Sequence, residues 1–392
     1  MSDTVVTVLE RGRGNRCDQP VETGNGRRWL LITGLTALFS AGLAPGPIRA
    51  GVIGSPVIAG GYTFINFDGP NSGVNAGAGT NVNGIANNGA AVGFSLGNAG
   101  LFTNFVRNPD GTFTTLNLGG AGSAMAMGIN SAGDVVGTQN GTAFFLPNGG
   151  LPGTLTTPAG ATTAFGVNDQ GNIVGQFNSA TASPGFFLAN SAGNGLITIN
   201  PPSGPNIVNA QGVNDNGLVV GFYVGTDGQD HGFITRVSSA QNDSLSGTGV
   251  ADPAIPNVAG EPGATFVFSQ ILGVNDSGIA VGYYGDSTTS QHGFFYNTNT
   301  GAYLFLDDPS EQFSNGVEVT QITGINNSGE IAGFYSDASG VFHGFVACPT
   351  GVTCTTSVTS PTPEPSSLVF ASFGLGVLAF RRFLHRRNSL SA

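Results

Sequence analysis

The sequence predicts an all-β chain folded as a β-propeller of six four-stranded blades, closed by an N-terminal strand. Three observations predict it. First, a ten-residue core with glycine at both ends recurs at Gly84 (GIANNGAAVG), Gly128 (GINSAGDVVG), Gly166 (GVNDQGNIVG), Gly212 (GVNDNGLVVG), Gly273 (GVNDSGIAVG) and Gly324 (GINNSGEIAG). Second, the steps between copies are 44, 38, 46, 61 and 51 residues while the core keeps its length, so the variation lies in loops. Periods of about 40–50 residues with several short apolar runs are those of propeller blades. Third, the last copy stops at Phe345-Val346-Ala347 with no fourth strand, and an orphan strand, Tyr62–Phe67, precedes the first copy. Pairing the two completes six blades and protects both edges. A β-solenoid is the alternative, but its rungs are shorter and more regular than these steps.

Each core reads as a hairpin. In Asn275-Asp276-Ser277-Gly278 the Asn and Asp side chains can bond the turn backbone, and glycine supplies the positive φ that closes it. The glycine-bounded flanks, such as Ile279-Ala280-Val281, are too short for helices. A third strand follows at Phe105, Phe144, Phe186, Phe233, Phe294 and Phe345, and a fourth at 112–116 and 303–306. Apolar content of 40% supports a packed core, so the body, residues 51–347, is not read as disordered.

All 12 basic residues are arginine, and ten lie in the ends. The body keeps Arg107 and Arg236 against 18 acidic residues, a formal charge of −16. Such a surface repels nucleic acid and anionic membranes. Cations, neutral glycans and basic proteins remain as partners.

Residues 1–50 form a leader. Arg27-Arg28 precedes an apolar run over 29–43, and Ala50 follows as a small residue for cleavage, the pattern of a signal peptide. Export makes Cys348 and Cys354 a candidate disulfide just past the last blade. Residues 348–362 are a Thr/Ser/Pro linker. In the tail, 363–392, Pro363-Glu364-Pro365 leads into a 13-residue apolar run closed by Arg381-Arg382 and Arg386-Arg387. The run is short for a permanent span, and the arginines behind it would stay cytoplasmic.

This tail resembles the PEP-CTERM sorting domain of Gram-negative bacteria. The resemblance implies a transient inner-membrane anchor, recognition by an exosortase, removal of the tail, and delivery to the cell surface or a biofilm matrix rich in exopolysaccharide. The body resembles the HAF-type extracellular repeat family, whose repeats centre on GIN-x-x-G…HGF. The third-strand His is missing from the first three copies, and Ala86 replaces the Asn of the first. That family implies architecture and location, not chemistry.

No catalytic set is evident. His231, His292 and His343 occupy one repeat position in the last three blades, so they are weak candidates for a metal ring and stronger ones for bonding a neighbouring loop. The Asn-Asp-x-Gly turns lack the full calcium-loop pattern, so no cofactor is expected. The loop residues Asp227, Asp230, Asp286 and Asp337 could take calcium only unspecifically. Asp307 and Asp308, adjacent at a strand end, should face opposite ways and cap loops. The expected function is therefore a non-catalytic exported protein that binds glycan or another exported protein through propeller loops. A polysaccharide-active hydrolase or lyase on the same scaffold is the alternative.

Overall fold

The computed structural model describes residues 49–119, 123–155, 161–177, 183–201, 205, 207–237 and 263–352. The expected leader run, the 238–262 insertion and the sorting tail lie outside these residues. Among the described residues, no helix is long and apolar enough to cross a membrane.

Six antiparallel blades follow one another in chain order, and a single parallel pairing, Phe342↔Gly79, joins the first and sixth into one ten-stranded sheet. Their inner strands are Gly79–Ile85, Ala124–Ile129, Ala161–Val167, Val208–Val213, Phe266–Val274 and Thr320–Ile325. Each is hydrogen-bonded to the next strand of its own blade, and each packs beside the inner strand of the next blade, the sixth returning to the first. The chain is a six-bladed β-propeller. Four blades have four strands from their own copy; the fourth blade shows three among the described residues.

The sixth blade is closed as the sequence predicts. Its third strand, Phe342–Pro349, pairs antiparallel with Tyr62–Ser72, in register from Gly344↔Phe67 to Pro349↔Tyr62. Two short strands, Arg49–Val52 and Val57–Ala59, cover the outer edge of Tyr62–Ser72. The sheet thus takes up the chain just before the cleavage expected after Ala50. The pairing is between backbones, and it covers an edge that would otherwise be open.

Every position of the repeat has a mechanical reason. The inner strand carries a bulge at the same place in all six blades, between the residue two before the leading glycine and that glycine. The leading glycines meet around the axis. A methyl group on Gly212 would lie 3.1 Å from the Cα of Gly273, one on Gly273 3.0 Å from Gly324, and one on Gly324 3.1 Å from Gly84. The next residue, Ile or Val, points to the axis. Ile85, Ile129, Val167, Val213, Val274 and Ile325 line both axial recesses and so form the plug between them.

The Asn that follows clamps neighbouring blades. Asn130 Nδ2 donates to the Asn168 carbonyl (3.2 Å), Asn168 to Asn214 (3.0 Å), Asn214 to Asn275 (2.9 Å), Asn275 to Asn326 (3.1 Å), and Asn326 to Ala86 (3.1 Å). The Oδ1 of the same residue accepts N–H groups of its own turn, as Asn214 does from Asn216 and Leu218. Between blades lie six hydrophobic clusters, one per interface, and the third-strand Phe of every copy is buried.

Ala86 breaks this ring of amides at one interface. Asn88 partly substitutes there, donating to the Ser131 carbonyl at 3.1 Å. Ala86→Asn should therefore add a buried hydrogen bond worth about 1 kcal/mol. The expected result is a higher midpoint in thermal and urea unfolding; an unchanged or lower midpoint would show that the amide does not act as an interblade clamp.

Candidate functional site

The turns of the repeat ring one end of the axis. The residue after each clamping position accepts from, and donates to, its neighbours. Ser131 N–H donates to Asp169 (2.7 Å), Asp169 N–H to Asp215 (3.0 Å), Asp215 N–H to Asp276 (2.9 Å), Asp276 N–H to Asn327 (2.9 Å), and Asn327 N–H to Asn87 (2.8 Å). Burial, then the charges of Asp276 and Asp169, push the Asp215 carboxyl above its ordinary pKa. Burial also opposes ionisation of Asp169, but bonds from Ser131 and Asn87 outweigh it and its pKa falls. The turn acids are thus structural acceptors. The recess they surround holds about 60 Å³ and the one beyond the plug about 70 Å³. Pockets for small organic ligands run to about 300–1,000 Å³. Both recesses are small against such pockets.

The three repeat-equivalent histidines are not gathered around the axis. Each begins the third strand of its own blade and packs against a Tyr of the second strand. Ring centroids are 5.6 Å apart for His231–Tyr223, 5.2 Å for His292–Tyr284 and 5.3 Å for His343–Tyr335. Each also meets carboxylates: His231 Nε2 lies 3.1 Å from Asp227, and His292 Nδ1 lies 2.9 Å from Asp307. His343 lies between two, with Nδ1 2.8 Å from Asp68 and Nε2 3.3 Å from Asp337. The repeat position signals a shared fold role: the fifth and sixth blades take their Nδ1 carboxylate from equivalent fourth-strand positions, Asp307 and Asp68, while His231 meets the loop carboxylate Asp227.

Burial opposes a charge on His343, but hydrogen bonds and charge from Asp68 and then Asp337 outweigh it and raise its pKa above the ordinary histidine value. The folded state therefore holds this proton more tightly than the unfolded chain. The resulting stability is fully present below about pH 6.5, the unfolded value, and is lost as pH rises through the raised pKa. His343→Gln should cost more stability at pH 6 than at pH 9 in urea melts. Equal losses at both would show that the charge does not stabilise the fold.

Asp307 and Asp308, just past the strand Tyr303–Phe305, diverge as expected of neighbours that continue an extended run. Asp307 turns to its own blade, meeting His292 and accepting the Gly293 N–H at 2.8 Å. Asp308 turns to the closing strand, accepting from Asn66 Nδ2 (3.2 Å) and Ser310 N–H (2.8 Å). Burial pushes its pKa up to about 6 against these bonds. Beside them stands Glu311, which sequence reasoning missed. His292, Asp307 and Glu311 each offer one ligand atom, all within 4.8 Å of one another. Burial, then the charges of Asp307 and Glu318, drive the Glu311 carboxyl well above its ordinary range. The signal was present in the copies: Asp307-Asp308-Pro309-Ser310-Glu311 matches Asp68-Gly69-Pro70-Asn71-Ser72, with an acid in place of the serine.

Cys348 is disulfide-bonded. Its expected partner Cys354 lies outside the described residues, as do Pro363, Glu364, Pro365, Arg381 and Arg382. Asp227 and Asp230 belong to the fourth blade, Asp286 to the fifth and Asp337 to the sixth; Asp230 reaches across to the fifth blade, accepting from Gln270 at 2.7 Å.

No protein-family model and no curated protein matches the chain. Among solved structures, the chain is similar to TolB from Acinetobacter baumannii, at 12% identity and a TM-score of 0.41, over 66% of this chain and 63% of TolB. It is also similar to Aleuria aurantia lectin in complex with Fucα1-6GlcNAc, at 11% identity and a TM-score of 0.38, over 70% of this chain and 97% of the lectin. A puromycin hydrolase follows, at 11% identity and a TM-score of 0.34, over 81% of this chain and 55% of the hydrolase. The fold assignment rests on the closed ring of inner strands, and these likenesses carry no function to the chain.

Proposed function

We propose that the chain is an exported, exosortase-processed protein of the cell surface or extracellular matrix. On this reading it is non-catalytic and binds exopolysaccharide or another exported protein through its propeller loops. The observation that carries the reading is the tail: Pro363-Glu364-Pro365, a short apolar run, and Arg381-Arg382 in that order. The arrangement of the body supports the absence of catalysis, because its three histidines serve three separate blades and its turn acids serve as interblade acceptors. A body charge of −16 favours neutral glycans and basic proteins over anionic surfaces.

The test mixes the purified full-length chain with exopolysaccharide from the producing organism and follows size-exclusion chromatography with light scattering. Elution of the chain with intact polymer supports the glycan reading. Shortened polymer would replace it with a polysaccharide-active hydrolase or lyase. If neither elution changes, an exported protein is the partner.

A further inference from the structure

We propose that the fifth blade binds one divalent transition-metal cation between His292, Asp307 and Glu311. The first ground is the donor set. One imidazole nitrogen and two carboxylate oxygens within 4.8 Å of one another suit borderline Zn²⁺, and also the harder Mn²⁺ through the two carboxylates. Calcium asks for six to eight oxygens and is a poor match. His292 is buried, and Asp307 and Glu311 are half-buried, so water reaches the site from one side. The ring is already aimed: Nδ1 meets Asp307, while Nε2 faces Asp286 at 3.8 Å. At that distance Asp286 places a negative charge behind the second nitrogen without a hydrogen bond to it.

The second ground is a comparison inside the chain. The sixth blade repeats this geometry almost atom for atom. His343 replaces His292, Asp68 replaces Asp307, and Asp337 replaces Asp286. Thr80 and Thr320 play the same part, accepting the N–H of Gly69 at 2.8 Å and of Asp308 at 3.1 Å. The hydroxyl of that Thr then meets Ser72 in one blade, at 3.0 Å, and Glu311 in the other, at 2.5 Å. A neutral serine is therefore sufficient for the fold at this position. The fifth blade instead places a carboxylate there, beside Asp307 and near Glu318. Like charges held together cost stability unless a countercharge joins them. The chain has no lysine, and the body's arginines, Arg107 and Arg236, belong to the third strands of the first and fourth blades. His292, when protonated, is the cationic group that meets Asp307, and a bound cation would add charge at the carboxylate pair.

The cation would tie the third strand of the fifth blade to the connection that enters the sixth. It stands apart from the axial recesses and does not depend on the proposed glycan or protein partner. The test uses the full-length chain, stripped with a chelator and dialysed. Mn²⁺ binding is followed by electron paramagnetic resonance, and Zn²⁺ and Ca²⁺ by calorimetry and thermal melts. The expected result is one saturable Mn²⁺ or Zn²⁺ site that raises the unfolding midpoint. Glu311→Ser, which installs the sixth-blade residue, should keep the circular dichroism spectrum and lower affinity at least 100-fold. His292→Gln should do the same. Absence of saturable Mn²⁺ and Zn²⁺ binding by the wild-type chain would overturn the proposal. So would a site that survives both substitutions, or one that Ca²⁺ fills as readily.

Discussion

Gly221→Ala is expected to abolish folding. A methyl group there would lie 1.9 Å from the carbonyl oxygen of Asn209, on the bulged inner strand, and 2.8 Å from the ring of Phe233. The oxygen is backbone, so no side-chain rotation relieves the clash. The inner strand has little room to withdraw, because the next blade stands so close that a methyl on its own Gly212 would lie 3.1 Å from the Cα of Gly273. The tenth residue of every copy is trapped in the same way. Added methyls at Gly93, Gly137, Gly175, Gly282 and Gly333 would lie 2.0–2.1 Å from the matching oxygens. The loss should exceed about 4 kcal/mol, the range in which a single substitution signals a specific steric or packing fault. Gly153→Ala is the control, since its methyl would meet nothing nearer than 3.9 Å. Expression, size-exclusion elution and urea melts separate the two: native-like stability in Gly221→Ala, or equal damage in Gly153→Ala, would refute the argument.

The repeat was legible because it is written in backbone constraints. Gly212, Val213 and Asn214 serve close approach, axial plug and interblade clamp, three jobs that few residue types can do, so the same letters recur. The closing strand was legible for a related reason: Tyr62–Phe67 looks like a fourth strand and the last copy lacks one. The fifth-blade triad was not. Its members come from the start of a third strand (His292), the end of a fourth (Asp307) and the following connection (Glu311), and no spacing rule links them. Their proximity follows from the blade's register and the route into the next blade. Only aligning that connection with 68–72 marks Glu311 as the odd residue, and such an alignment becomes compelling once both segments are seen to hold an equivalent Thr. The shared histidine position was readable, but not that the rings of the fifth and sixth blades would each meet a carboxylate carried by the fourth strand.

Phe67→Ala is the second substitution expected to have a large effect, because it strikes the seam where the ring closes. Phe67 is fully buried in the cluster between the sixth and first blades, with Ile65, Val82, Phe105 and Val346. Its ring packs against Phe113 at 5.7 Å and Phe105 at 6.4 Å, and the Arg107 guanidinium lies 5.1 Å from its centroid. Truncation removes the aromatic ring and also uncovers a buried cation whose pKa burial has already lowered to about 10. A loss of about 3–5 kcal/mol is expected from the cavity alone. It should show as a lower urea midpoint and faster proteolysis of 49–72 than of the other blades; a loss below 1 kcal/mol would mean that the seam does not hold the ring. Deleting Tyr62–Ser72 should go further, exposing the edge of Phe342–Pro349 and leading to aggregation. The position of this seam fits the proposed processing. Both of its strands lie between the expected cut after Ala50 and the sorting tail, so removal of leader and tail would leave the pairing from Tyr62 to Phe67 intact.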